Sequence, residues 1–253
     1  SFLKRNIFNN TKKRSIENIS SHYDLGNEFF STWLDKTLTY SCGIFNSSNE
    51  TLEKAQINKY NKLINMVKPR NGDKILEIGC GWGGFAEHVA KNFDIKLDCI
   101  TISKKQFVFT KERIRKANLN HKVNVQMMDY RDVKKKYDII ISIEMIEAVG
   151  EKYLDKYFYT IKENLVPGGR GAIQAIIIKD ELYERYRTKE DFIQKYIFPG
   201  GFLPSLKSLN KLSPKSGLKI DGYHLYGSHY SNTLQKWRKS VLNSWDQISR
   251  QGF

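Results

Sequence analysis

Cysteine is scarce: the 253 residues contain three, Cys42, Cys80 and Cys99. They form no CxxC pair and no even framework, which argues against a disulfide-stapled secreted scaffold and a zinc ribbon and suits a reducing cytoplasm. No metal is expected. No apolar run approaches the roughly 20 residues needed to cross a bilayer, and no signal-peptide apolar segment stands near Ser1. The expectation is a soluble, cytoplasmic protein. Acid is short as well, with 27 Asp plus Glu against 42 Lys plus Arg. The first 16 residues carry Lys4, Arg5, Lys12, Lys13 and Arg14 and no acid at all. The net charge of +15 produces a positive field that favours phosphate-bearing partners, either nucleic acid or an anionic membrane surface. Composition leaves that choice open.

What the chain does have is enough apolar and aromatic material, 40% and 13% of residues, to exclude a disordered segment. Residues 1–68 read as a basic arm and a helical cap, with Phe29, Phe30, Trp33 and Leu34 at helical spacing. Pro69 and the Asn71-Gly72 turn punctuate the chain before a core over 69–253. Short apolar runs at 74–78, 97–102, 123–127, 137–143 and 172–178 read as buried strands. Helical patterns at 85–92 and 104–117 lie between them, and a further helix carries Tyr153, Leu154, Tyr157, Phe158, Ile161 and Leu165 on one face, closed by Pro167-Gly168-Gly169. This alternation predicts an α/β fold, a doubly wound Rossmann-like parallel sheet covered on both faces. The looser segment 179–216 reads as an insertion after the fifth strand, over the site. Residues 218–226 resemble a late strand, and 234–248 a helix.

The decapeptide ILEIGCGWGG, residues 75–84, ends the first strand in a glycine-rich turn. Gly79, Gly81 and Gly84 satisfy the GxGxxG of a dinucleotide site, while Glu77 with Gly79, Gly81 and Gly83 satisfies the ExGxGxG of an S-adenosylmethionine site. Both need a backbone that turns sharply and lets a ligand approach where a Cβ would clash. A dinucleotide site usually adds a carboxylate at the end of the second strand for the ribose. Here Thr101 occupies that position, and Asp98 comes three residues too early. The dinucleotide reading loses its second support.

Seven blocks, HYDLGNEFF (22–30), YSCGIF (40–45), EIGCGWGG (77–84), TISKKQ (101–106), DYRD (129–132), SIEMIEAVG (142–150) and YIFPGGFLPS (196–205), together closely resemble the cyclopropane-fatty-acyl-phospholipid synthase and mycolic acid cyclopropane synthase family. The resemblance implies a class I methyltransferase fold and an enzyme that uses S-adenosylmethionine on the double bond of an unsaturated phospholipid acyl chain, working peripherally at the inner membrane surface. It is compatible with a homodimer. Carried over residue by residue, it assigns the cofactor to Tyr40, Ser41, Gly79, Cys80, Gly81, the run Thr101, Ile102, Ser103, Lys104, Lys105 and Gln106, and the pair Asp129 and Tyr130. Gln106 would supply an amide where the acid is missing, and Asp129 with Tyr130 would hold adenine.

An isolated alkene is a poor nucleophile, so such a site must align it with the sulfonium methyl and keep water from the carbocation that follows. Tyr23, Phe30, Tyr40 and Trp82 are candidates for aromatic walls that stabilise a cation. Ring closure then removes a proton, and in the family the base resembles a bound bicarbonate, whose ligands map onto Cys42, Glu147, Gln174 and the backbone at Ile176. The pattern departs from the family at Ala148 and Gln174, where histidines are usual, and the family's tyrosine ligand and an often-cited cysteine are expected beyond Phe253. These departures leave open a methyl- or methylene-branched product and a scaffold with lost chemistry. Nucleic acid is not the expected partner, because the D/N-P-P-Y/F loop of amino-methylating DNA enzymes is replaced by SIEMIEAVG.

Overall fold

The structure, a computed structural model, describes residues 10–23 and 25–252, without the side chains of residues 20–23. Lys4 and Arg5 of the basic arm and the side chain of Tyr23 therefore lie outside the described residues.

Among the described residues three helices precede the first strand: α1 (Lys12–Tyr23), α2 (Asn27–Trp33) and α3 (Leu52–Val67). The third starts where Thr51 accepts a hydrogen bond from the Lys54 amide, satisfying one of the donors that a helix start leaves unpaired. Beyond it, β1 (Lys74–Ile78), β2 (Lys96–Thr101), β3 (Val123–Met127), β4 (Tyr137–Ile143) and β5 (Leu165–Gln174) form one sheet in the order β3-β2-β1-β4-β5. All four pairings are parallel. Helices α4 (Gly84–Asn92), α5 (Lys104–Lys116) and α6 (Leu154–Asn164) make the crossovers.

Both faces of the sheet are covered, as continuous apolar strands require. Ile75, Leu97, Ile139 and Ile141 pack with Tyr60 and Leu63 of α3, Phe85 and Val89 of α4 and Ile114 of α5. Leu76, Ile78, Ile100 and Ile140 pack on the opposite face with Tyr157, Phe158 and Ile161 of α6. Ile139, Ile140 and Ile141 are wholly buried; each contributes about 1.5–3 kcal/mol by leaving water. A third cluster unites Phe30 and Trp33 of α2 with Trp82 and with Trp237 of α9 (Gly227–Asn243).

Two expectations need correction. The Pro167-Gly168-Gly169 segment does not separate helix from strand: α6 ends at Asn164, Leu165 already pairs with Tyr137, and the register jumps so that Ile139 meets Arg170. The proline and glycines bulge out of β5, where a missing N–H costs no ladder bond. Residues 218–226 form no strand. Tyr223 and Leu225 are exposed and Leu218 packs against the core, because alternation supplies a face and not a partner edge. The segment after β5 folds instead as α7 (Asp180–Thr188), a π-helical turn (Ile193–Ile197) and α8 (Leu206–Lys215). Trp245–Ser249 forms α10 after α9.

Candidate active site

The carboxyl ends of β1, β2 and β4 open onto a cleft that encloses about 1120 Å³ together with its open mouth. Gly79 and Gly81 turn the chain out of β1 at φ 80° and 52°. A Cβ on Gly79 would come within 2.8 Å of Met145, whereas one on Gly81 would project into open space. Space of that kind beside a left-handed backbone suits a ligand that must approach the main chain.

The cleft is lined by Tyr40, Ser41, Gly79, Cys80, Gly81, Thr101, Ile102, Gln106, Asp129 and Tyr130, all assigned from sequence. Gln106 is buried, and its Oε1 accepts from Thr101 Oγ1 at 3.0 Å; its Nε2 has no partner among the described residues and is available to a ligand oxygen. Ser103, Lys104 and Lys105 are not part of the lining. Ser103 caps α5 by accepting from the Gln106 amide, and Lys104 and Lys105 stand exposed on the first turn. Asp129 is also less free than expected. Its Oδ1 accepts from Arg131 N and Nε, and its Oδ2 from Arg131 Nη2 at 2.6 Å. Arg131 in turn donates to the Asn10 carbonyl and Ser15 Oγ, which draws α1 over the cleft so that Ser15 and Ile19 join its wall.

Aromatic rings bound one side of the cleft. Tyr40 and Trp82 line the cleft, and Phe30 backs both, with ring centroids at 5.6 and 4.8 Å. Trp82 Nε1 donates to Asn27 Oδ1 at 2.8 Å, which fixes the indole in place. Burial, helped by the charge of Glu144, pushes the Tyr40 hydroxyl up to about 12, so it stays protonated at neutral pH.

Cys42, Glu147, Gln174 and Ile176 do come together, behind the cleft wall rather than in it. The carboxylate that joins two of them is Glu144, which the sequence reading did not single out. Glu144 Oε1 accepts from the Cys42 amide at 2.9 Å and from Gln174 Nε2 at 2.7 Å, and Gln174 Nε2 also donates to the Cys42 carbonyl at 3.1 Å. Donors expected to hold bicarbonate are thus spent on a side chain of the protein. Glu147 Oε1 accepts from the Ile176 amide, and its Oε2 is sealed without a partner. Burial, then the Glu144 charge, raises Glu147 to about 8, so it holds a proton at neutral pH. The Cys42 thiol is raised to about 12 by burial and then by Glu144, which rules out a thiolate nucleophile.

Three further residues escaped the sequence reading. Lys59 lies on the buried face of α3 and donates to Ser41 Oγ, while Gln56 Nε2 donates to the Ser41 carbonyl at 2.8 Å. Burial lowers Lys59 to about 8, opposed first by Glu144. The signal was two polar residues inside an apolar helical stripe. Tyr230 of α9 is raised by burial and next by the charge of Glu144. A tyrosine therefore stands by the acidic pair within the chain, where the resemblance had placed one beyond Phe253.

Residues 10–252 match the family described as mycolic acid cyclopropane synthetase. Tuberculostearic acid methyltransferase UfaA1 of Mycobacterium tuberculosis is 35% identical over 96% of this chain and 58% of its own length. Cyclopropane-fatty-acyl-phospholipid synthase of Escherichia coli is 34% identical over 96% of this chain and 61% of its own. The chain thus spans about three fifths of the length of these curated relatives. The mycolic acid cyclopropane synthase CmaA1, solved with SAH and CTAB, superposes with a TM-score of 0.86 at 26% identity, covering 93% of this chain and 86% of that one. By this match and these identities, the chain belongs to the mycolic acid cyclopropane synthetase family.

Proposed function

We propose that this chain binds S-adenosylmethionine and transfers its methyl carbon to the double bond of an unsaturated fatty-acyl chain of a phospholipid, closing a cyclopropane. The observation that carries this reading is a single cleft in which the glycine turn, the Gln106 side chain, two aromatic faces and a carboxylate converge. Bound there, the cofactor supplies an electrophilic methyl group on a sulfonium. The protein's own work is to bind, align and shield. Gly79 and Gly81 admit the ligand to the backbone, Gln106 offers a donor, and Tyr130 and the helix α1 residue Ile19 form an apolar wall. Tyr40 and Trp82 present faces whose quadrupole favours a cation and whose packing excludes water. Glu147 sits behind them as a neutral acid that holds the Ile176 amide.

The positive charge of the chain supports a peripheral encounter with an anionic bilayer, the source of the acyl chain. Among the described residues no helix is long and apolar enough to cross a membrane. A related product, a methyl- or methylene-branched chain, is favoured by one observation: Gln174 and Ala148 stand where proton-accepting histidines are usual, and an amide cannot take up a proton. Both readings are tested by incubating the protein with methyl-labelled S-adenosylmethionine and vesicles of unsaturated phospholipid. Mass spectrometry should show a gain of one CH2, and high-field ring protons in the NMR spectrum separate a ring from a branch. Absence of label in lipid, with transfer to DNA or RNA, would refute the assignment.

A further inference from the structure

Closing a ring from the carbocation requires a group that accepts a proton inside the cleft, and few lining residues can. Glu77 is raised to about 8 by burial and keeps its own proton. Asp129 has both oxygens engaged by Arg131. Tyr40 and Tyr130, both pushed up to about 12 by burial, are protonated, and the Cys80 thiol is turned to the Gly81 carbonyl. Glu144 remains. It lines the cleft beside Tyr40 and Met145, its Oε1 is anchored by the Cys42 amide and Gln174, and its Oε2 has no partner among the described residues.

The backbone at Glu144 adds a second, independent observation. Its φ is 47°, in the left-handed region that favours glycine, and its amide donates to the Gln174 carbonyl at 2.9 Å. A non-glycine residue is held there only where the surroundings over-determine it, which is common at functional sites. The left-handed turn at the end of β4 aims the side chain at the Cys42–Gln174 pair. Burial raises this carboxyl above the usual carboxylate range, opposed by Lys59 and the two donated hydrogen bonds, so that it is a stronger base than an exposed carboxylate.

Resting on the function proposed above, we propose that the Glu144 carboxylate is the base that takes the proton from the transferred methyl carbon, so that this enzyme needs no bicarbonate. The alkene π pair forms the bond to the methyl carbon as the S–CH3 pair returns to sulfur. The resulting carbocation then loses a methyl proton to Glu144 Oε2, and the freed C–H pair forms the second C–C bond of the ring. The products are the cyclopropane, the neutral thioether and a protonated Glu144, which passes its proton to water after release. A carboxylate and a bicarbonate share the same O–C–O acceptor geometry, so Glu144 occupies by a covalent tether what a free ion would otherwise occupy by diffusion.

The test compares wild type, Glu144→Gln and Glu144→Gly in buffer purged of bicarbonate and in buffer supplemented with it, with labelled cofactor and unsaturated phospholipid vesicles. Wild type should keep its rate within about twofold on purging, and Glu144→Gln should lose at least about 100-fold in both buffers. Glu144→Gly relaxes the left-handed backbone and folds readily. It should be inactive when purged and regain about tenfold or more with bicarbonate, because the Cys42 amide and Gln174 Nε2 become free donors. A cofactor-independent readout is titration with 13C-labelled bicarbonate by NMR: the Glu144→Gly protein should bind it and the wild type should not. Loss of wild-type turnover on purging, bicarbonate binding by wild type, or near-normal rates in Glu144→Gln would each overturn the assignment. A wild type that binds no bicarbonate yet labels no lipid in either buffer overturns the functional reading instead, and the step with it.

Discussion

Glu77→Gln isolates the cost of keeping an acid in the centre of the sheet. Glu77 is 2% exposed, its Oε2 accepts only from the Cys99 thiol at 3.6 Å, and burial raises it from 4.5 to about 8. Between those values the folded protein retains a proton that the unfolded chain has released. Stability therefore falls as pH rises through that window and levels off above about 8. Each pH unit is worth about 1.4 kcal/mol, so wild type should lose about 3 kcal/mol between about pH 5 and about pH 7 through this group alone. Glutamine has nearly the same shape and does not titrate, so the variant should be spared that loss. Glu147, raised in the same direction, contributes equally to both proteins and cancels. Urea unfolding of the cofactor-free proteins at the two pH values measures the difference. Parallel profiles, with the same change in unfolding free energy for wild type and variant, would show that Glu77 is ionised in the fold and that its environment has been misread.

Gly81→Val should fold yet bind S-adenosylmethionine at least about 100-fold more weakly, since a β-branched residue at φ 52° is strained and fills the open side of the turn; calorimetric titration checks this, and unchanged affinity removes the glycine turn from the site. Glu147→Gln should retain cofactor binding and most turnover at neutral pH, where Glu147 already holds a proton, but should flatten any decline in rate as pH passes about 8; a rate profile superimposable on wild type leaves Glu147 without a role in proton handling. Binding to anionic vesicles should exceed binding to neutral ones and weaken with salt, because exposed charges farther apart than about 10 Å are screened at 0.1 M. The exposed face of α5 around Lys104, Val108 and Lys111 is the leading described surface, and equal sedimentation with both vesicle types at low salt would exclude it.

The sequence by itself determined the architecture and the position of the cleft. Apolar runs of strand length between helical patterns permit only a sheet covered on both faces, and glycine at 79 and 81 marks a turn where the backbone goes left-handed at a carboxyl edge. Local pattern failed where a partner was needed: 218–226 alternates like a strand but finds no edge, and Pro167-Gly168-Gly169 looks like a helix stop but bulges from β5. At the site, chain order also misled. Glu144 and Glu147 are three residues apart in one acidic motif, and nothing local distinguishes the acid that lines the cleft from the one sealed behind it. Tertiary structure decided that, because the left-handed residue after β4 turns Glu144 toward Cys42, 102 residues away, and Gln174, 30 residues away. The same holds for Lys59 and Tyr230, whose meaning comes from the charge they face. Periodicity reports which residues are buried; only packing brings distant donors to one carboxylate and sets which carboxyl keeps its proton.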